Sequence, residues 1–340
     1  MLKSLSMKVI ITGAGGYIGS VATYLFLQNN FEVIAMDNFT TGFKAPLEIL
    51  QKKFGKDLLR FYEIDLEQDL SAILDKEDKI EAVIHYAGSC LVDDSMKNPQ
   101  KYFKNNVCAS QNLLSSMLKY NIKNIVFSST CAVYGETNSI PVNEEHPTNP
   151  TNPYGESKKI VEEIIKWYGK LQDLNYVILR YFNVCGASSD GLIGDSKNPS
   201  PHLVQNAVRA AIGIENFSLT CPEVQTPDKT PIRDYIDVID LAKAHIQAVN
   251  YLSKGGKSEI INLGTGVGNS VLEIINVVQN LTGEKFDTKK IEPREGEYAK
   301  IIASINKAKE ILNWQPQKKL EDSIKSLIIW YRKNPRGWEN

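Results

Sequence analysis

A phenol and an ammonium stand four residues apart in Tyr154-Gly155-Glu156-Ser157-Lys158. The stretch 152–172 has the pattern of a helix, so the two groups fall on one face about a turn apart. A lysine cation beside a tyrosine stabilises the phenolate and draws its pKa down from about 10, which makes the oxygen a general base near neutral pH. Tyr and Lys are common residues, Tyr176 and Arg180 repeat the spacing, and a solvated helix face is the plain alternative. A second group suits an anion. Gly13, Gly16 and Gly19, with Tyr17 and Ile18 between the last two, follow the β-branched run 8–12 and open the helix-like stretch 17–28. Only residues without a side chain let the backbone turn sharply and approach a pyrophosphate, while the helix start offers N–H groups and positive dipole.

About twenty residues past that loop, Asp37 ends the second predicted strand, where a carboxylate accepts hydrogen bonds from ribose hydroxyls and repels a 2′-phosphate. NAD is therefore expected rather than NADP, although Lys44 stands close enough in sequence to offset the repulsion. Asp65-Leu66 closes the third strand where an adenine ring would lie, a turn-capping surface Asp being the alternative.

These groups need a frame, and the chain alternates strands and helices to supply one. Runs 8–12, 31–36, 59–64, 82–85, 124–128 and 176–179 read as strands, with helices over 17–28, 99–120 and 152–172. That rhythm predicts an α/β fold, a doubly wound parallel sheet of Rossmann type. After Arg180 come a loop-rich region 183–201, a helix near 202–213 and a Pro- and Thr-rich turn at 222–231, expected to form a smaller interleaved α+β substrate lobe. A helix over 240–252 and a strand over 260–263 are expected to return to the first lobe. The division is thus 1–182 with roughly 237–267 for NAD, and 183–236 with 268–340 for the substrate.

Across the 340 residues, 39 Lys plus Arg balance 40 Asp plus Glu without charge blocks, which excludes the footprint of a nucleic-acid binder. Cys90, Cys108, Cys131, Cys185 and Cys221 are odd in number and lack C-x-x-C spacing, which argues against disulfides and a metal site. With no apolar leader in residues 1–7 and no membrane span, a cytoplasmic location is expected.

Joined to the glycine loop, the Tyr154/Lys158 pair resembles the short-chain dehydrogenase/reductase superfamily in its extended, nucleotide-sugar branch, over nearly the whole chain. Further segments carry the resemblance: Asn105-Asn106-Val107, the run from Phe127 to Gly135, Arg180-Tyr181-Phe182-Asn183, the run from Thr230 to Val238, that from Asn262 to Ser270, and Pro293 to Glu297. It implies that Tyr154 is the base, that Thr130 bonds the reacting hydroxyl, and that Lys158 tunes the tyrosine and holds the nicotinamide ribose. It places Asn38, Tyr86, Ala87, Gly88, Asn106, Ser128 and Tyr181 with the cofactor. Asn183, His202, Leu203, Arg233, Arg294 and Glu297 fall with the nucleotide sugar, His202 having an ordinary polar surface position as its alternative. The implied reaction is an internal redox cycle: C4 of a UDP-hexose is oxidised to a 4-keto sugar, turns in its pocket and is reduced from the opposite face, regenerating NAD. A homodimer through the helices 99–120 and 152–172 is also implied.

Three positions refine the resemblance. Dehydratases of the branch carry an Asp-Glu pair after the Thr and uronate decarboxylases a Glu in that stretch, whereas this chain has Cys131-Ala132, so epimerisation remains. Where many members have a lysine near the cofactor, this chain has Cys90. The position gating N-acetylated sugars falls on Ile301, which leaves UDP-N-acetylglucosamine or a UDP-pentose open as substrates. A silent NAD-binding regulator would need the glycine loop but not Thr130, Tyr154 and Lys158.

Overall fold

The computed structural model describes residues 6–137, 139–198, 200–219, 221–290 and 298–338. In chain order the strands are β1 (Lys8–Thr12), β2 (Glu32–Asp37), β3 (Leu59–Glu63), β4 (Ile80–His85), β5 (Asn124–Thr130), β6 (Asn175–Tyr181), β7 (Asn183–Cys185), β8 (Ser218–Leu219), β9 (Ile232–Asp237), β10 (Glu259–Leu263), β11 (Gly268–Ser270), β12 (Lys289–Lys290) and β13 (Lys300–Ile301). Seven of them form one all-parallel sheet in the order β10-β6-β5-β4-β1-β2-β3. This is the doubly wound architecture expected. Its strands are apolar on both faces because helices cover both: Val9, Ile11 and Val33 belong to one core cluster, Ile10, Ile34 and Met36 to another. Chain direction across the sheet reverses between β1 and β4, which leaves a crevice at their C-terminal ends.

A second sheet runs β11-β9-β13 with β7 also paired to β9. Its strands are two to six residues long, too short for an alternating pattern to announce them. Behind it a third cluster gathers Val204 and Val208 of the helix Leu203–Ala211 with Ile274 and Trp330.

Three expectations are corrected. Strand and helix ends move by one to three residues, β2 starting at Glu32 rather than Phe31 and β5 running on to Thr130. The expected helix 99–120 is α-helical over Pro99–Tyr102, π-helical over Phe103–Cys108 and α-helical again over Ala109–Lys119. Periodicity cannot reveal one extra residue in a turn, yet such bulges recur at functional sites. The stretch 268–340 does not lie wholly with the second sheet: Ala308 and Leu312 of the helix Asn306–Leu312, with Trp314, pack into the first core.

Candidate functional site

The glycine loop closes onto the end of β4. Gly13 has φ +69°, and a Cβ there would lie 2.6 Å from the Ala87 nitrogen; a Cβ on Gly19 would lie 2.1 Å from the Gly13 carbonyl oxygen. Neither position admits a side chain. The helix Tyr17–Gln28 starts without a side-chain cap or an acidic first turn, so its N-terminal dipole is offered to an anion. Asp37 is held in place by its neighbours, accepting the Gly15 N–H at 2.9 Å and the Phe39 N–H at 2.7 Å. Burial raises its carboxyl above the ordinary value against those bonds. Asn38 donates to Asp65 at 2.8 Å, and Asn112 donates to the Leu66 carbonyl at 2.6 Å, which fixes the far wall. Lys44 pairs at the surface with Glu63.

After β4, Tyr86 packs its ring 4.7 Å from that of His245, and its buried hydroxyl has no hydrogen-bond partner. A Cβ on Gly88 would stand 3.1 Å from Asn106 Oδ1 and 3.4 Å from Lys158 Nζ, which joins three expected residues in one place. Asn106, inside the π-helical turn, accepts the Ser89 N–H at 2.7 Å and donates to Ser157 Oγ at 2.9 Å, tying the loop after β4 to the helix carrying Tyr154. A tight glycine cradle, an uncapped helix end and an orphaned buried phenol fit a dinucleotide.

The reacting groups follow from β5 and the helix Pro153–Gln172. Asn152 caps that helix by accepting the Gly155 N–H at 2.8 Å, and Pro153 takes the first position, where its missing N–H costs nothing. Tyr154 therefore sits in the first turn, with Thr130, at the end of β5, the neighbouring group that favours its ionised form. Lys158, one turn on, donates to the Ser128 carbonyl at 3.0 Å. The expectation of a depressed phenol is corrected: burial raises Tyr154 well above its ordinary value, Thr130 only partly opposing it. Desolvation penalises the phenolate more than the neighbouring groups favour it. Burial also lowers Lys158 to about 8. Tyr181, at the end of β6, is likewise pushed up by burial, with Ser128 partly opposing it.

On the substrate side, Asn183 is exposed at the start of β7. His202 precedes the helix Leu203–Ala211 and its ring centroid lies 6.2 Å from that of Tyr17, so it is part of the cleft wall rather than a detached surface residue. Leu203 packs against the third cluster. Arg233 on β9 places its guanidinium 5.7 Å from the Tyr298 ring and is paired in register with Ile301, which is 1% exposed among Val133, Val142 and Phe182. Arg294 and Glu297 lie outside the described residues. Tyr17 directs its hydroxyl to the Gly186 carbonyl at 2.5 Å.

Sequence reasoning missed His245. Fully buried on the helix Val238–Ser253, it bonds Ser128 Oγ at 3.0 Å and the Leu241 carbonyl at 2.9 Å, and burial lowers it to about 4, so it is neutral. The signal was a histidine among Leu241, Ala244, Ala248 and Val249 at helical spacing. Among the described residues no helix is long and apolar enough to cross a membrane, and no three His, Cys, Asp or Glu side chains gather as metal ligands.

The NAD dependent epimerase/dehydratase family matches residues 9–264. The UDP-glucose 4-epimerase of Streptococcus mutans serotype c is 39% identical over 339 residues, spanning 98% of this chain and 99% of that protein. The crystal structure of UDP-glucose 4-epimerase from Bifidobacterium longum with NAD+ and UDP superposes with a TM-score of 0.92 at 32% identity, covering 98% of this chain and all of that one. The UDP-Glc/GlcNAc 4-epimerase of Campylobacter jejuni superposes with a TM-score of 0.81 at 34% identity, over 96% of this chain and all of that one.

Proposed function

The chain belongs to the NAD dependent epimerase/dehydratase family, and on that premise we propose that it inverts C4 of a UDP-hexose, interconverting UDP-glucose and UDP-galactose through a 4-keto intermediate. The observation that carries the reading is the convergence of Thr130, Tyr154 and Lys158 at the end of β5 beside Gly88. Bound NAD supplies the acceptor, and then the donor, of the C4 hydride.

Tyr154 Oη, ionised once the positive charge of Lys158 and of the bound cofactor would offset its burial, takes the O4 proton in one half of the cycle and returns it in the other, and Thr130 beside the same oxygen orients both groups. Lys158 places positive charge next to the cleft where the phenolate and the nicotinamide ribose meet; Gly13, Gly16, Tyr17, Ile18 and Gly19 hold the diphosphate and Asp37 the adenosine ribose. Asn183, His202, Leu203, Arg233, Arg294 and Glu297 hold the UDP-sugar, with the arginines suited to the diphosphate. Cys131, where a dehydratase would need an acid, has its thiol pushed by burial to about 12 and cannot exchange protons at neutral pH. Purified protein given UDP-galactose without added NAD is expected to form UDP-glucose. No conversion overturns the reading, and oxidation of UDP-galactose to a keto sugar with stoichiometric NADH, seen only when NAD is added, identifies an open dehydrogenase instead.

The division into an NAD lobe over 1–182 with 237–267 and a sugar lobe over 183–236 with most of 268–340 belongs to the same proposal, as does a cytoplasmic location. So does a homodimer. Trp167 and Leu171, 56% and 65% exposed, are four apart on the helix Pro153–Gln172 and give a second copy an apolar stripe.

A further inference from the structure

The loop that follows β7 returns over the glycine loop. Its stretch from Gly194 to Lys197 lines a small cavity together with Gly15, Tyr17 and Phe43. From there the Lys197 side chain crosses to the other wall of the crevice, where its ammonium donates to Cys90 Sγ at 3.5 Å, two residues beyond Gly88. Lys197 thus shares a cavity with the loop after β1 and contacts the loop after β4, the two loops between which a dinucleotide must thread.

Burial disfavours the Lys197 charge, but Cys90 and Asp195 more than offset it, so the side chain stays a cation with its pKa raised. The contact lies at the open side of the crevice, and a thiol is a weak acceptor for a cation. The nearby Asp195 carboxylate, which favours the Lys197 charge, accepts the Lys197 backbone N–H at 3.2 Å and the Ser200 hydroxyl at 3.1 Å. A diphosphate entering the crevice would give this cation a far stronger acceptor than a thiol. We propose that Lys197, reaching across from the second lobe, is the cation that holds the diphosphate of the dinucleotide. The assignment rests on NAD being the resident cofactor.

The test is cofactor retention, measured as NAD per chain after gel filtration and as the rate of NAD release on dilution, at low and high salt. K197M is expected to release NAD about 10- to 100-fold faster than the wild type, the worth of one charge-assisted hydrogen bond, and to show a shallower salt dependence. K197R is expected to stay near the wild type, and C90K in the K197M background, which restores an ammonium from the facing loop, to recover most of the retention. NAD release from K197M at the wild-type rate overturns the assignment, as does failure of both K197R and the C90K/K197M pair to retain NAD. A wild-type protein that holds no NAD overturns the premise of a resident cofactor, whereas equal retention by wild type and K197M leaves the premise and removes Lys197 alone.

Discussion

One face of the helix Pro153–Gln172 presents Tyr154, Lys158 and Glu162 at four-residue intervals, and these three side chains enter two different buried clusters. Glu162 meets Arg180 through two bonds, Nε to Oε1 at 2.9 Å and Nη2 to Oε2 at 2.5 Å, and also accepts from Ser129. Arg180 passes the chain on to Tyr134 at 3.1 Å, and Tyr134 to Asn262 at 2.7 Å. Every charge there has a partner, which is the condition under which a buried ion pair is tolerated. A turn away, Lys158 has one carbonyl for its three donors, Tyr154 is raised by burial, and Tyr86 keeps a buried hydroxyl without a partner. The closed cluster joins β5, β6 and β10 to the helix; the open one is left to be completed by ligands.

Three substitutions break or sharpen that contrast. Tyr154→Phe removes only the proposed base, so turnover of UDP-galactose is expected to fall by about 10² to 10⁴ while NAD stays bound and the melting temperature hardly moves. Unchanged turnover would overturn the catalytic assignment, and a large fall in melting temperature would mean that the open cluster is structural after all. Arg180→Leu does the reverse, leaving the Glu162 carboxylate buried without its cation. Denaturant titration should show a loss of about 3–5 kcal/mol, and a loss below 1 kcal/mol would show that the pair is not desolvated in solution.

Lys158→Met is the smallest effect and the most diagnostic. In the NAD-free protein the folded state binds the Lys158 proton more weakly than the unfolded chain, with a pKa of about 8 against the ordinary 10.5. Burying the charge therefore penalises folding fully below about pH 8, and the penalty relaxes as pH rises from there toward 10.5. K158M should be more stable than the wild type at pH 7, by an amount on the order of 1 kcal/mol, and the gap should narrow between pH 8 and 10. A K158M protein less stable at pH 7 would place Lys158 with the closed cluster.

Much of this site was legible locally. Gly13, Gly16 and Gly19 fall after a strand and at a helix start, Asp37 ends the next strand, and Tyr154 with Lys158 share one helix turn; each depends only on neighbours within a few residues. The second sheet was not legible, because β7, β11 and β13 are two or three residues long and exist only by pairing with β9. Nor was the π-helical turn that sets Asn106 against Ser89 and Ser157, since both helix types share the same apolar spacing over so short a stretch.

The sequence by itself determined the parallel sheet, the tight glycine loop and the one-turn spacing of Tyr154 and Lys158, because strand runs, glycines and helical periodicity act over short range. Only the tertiary structure decided how those residues behave. Burial raised Tyr154 where the isolated pair pointed to a lowered pKa, His245 came 117 residues down the chain to hold Ser128, and Lys197 crossed 107 residues to Cys90. Desolvation and long-range contact depend on what surrounds a side chain in space, and neighbours in sequence do not specify that.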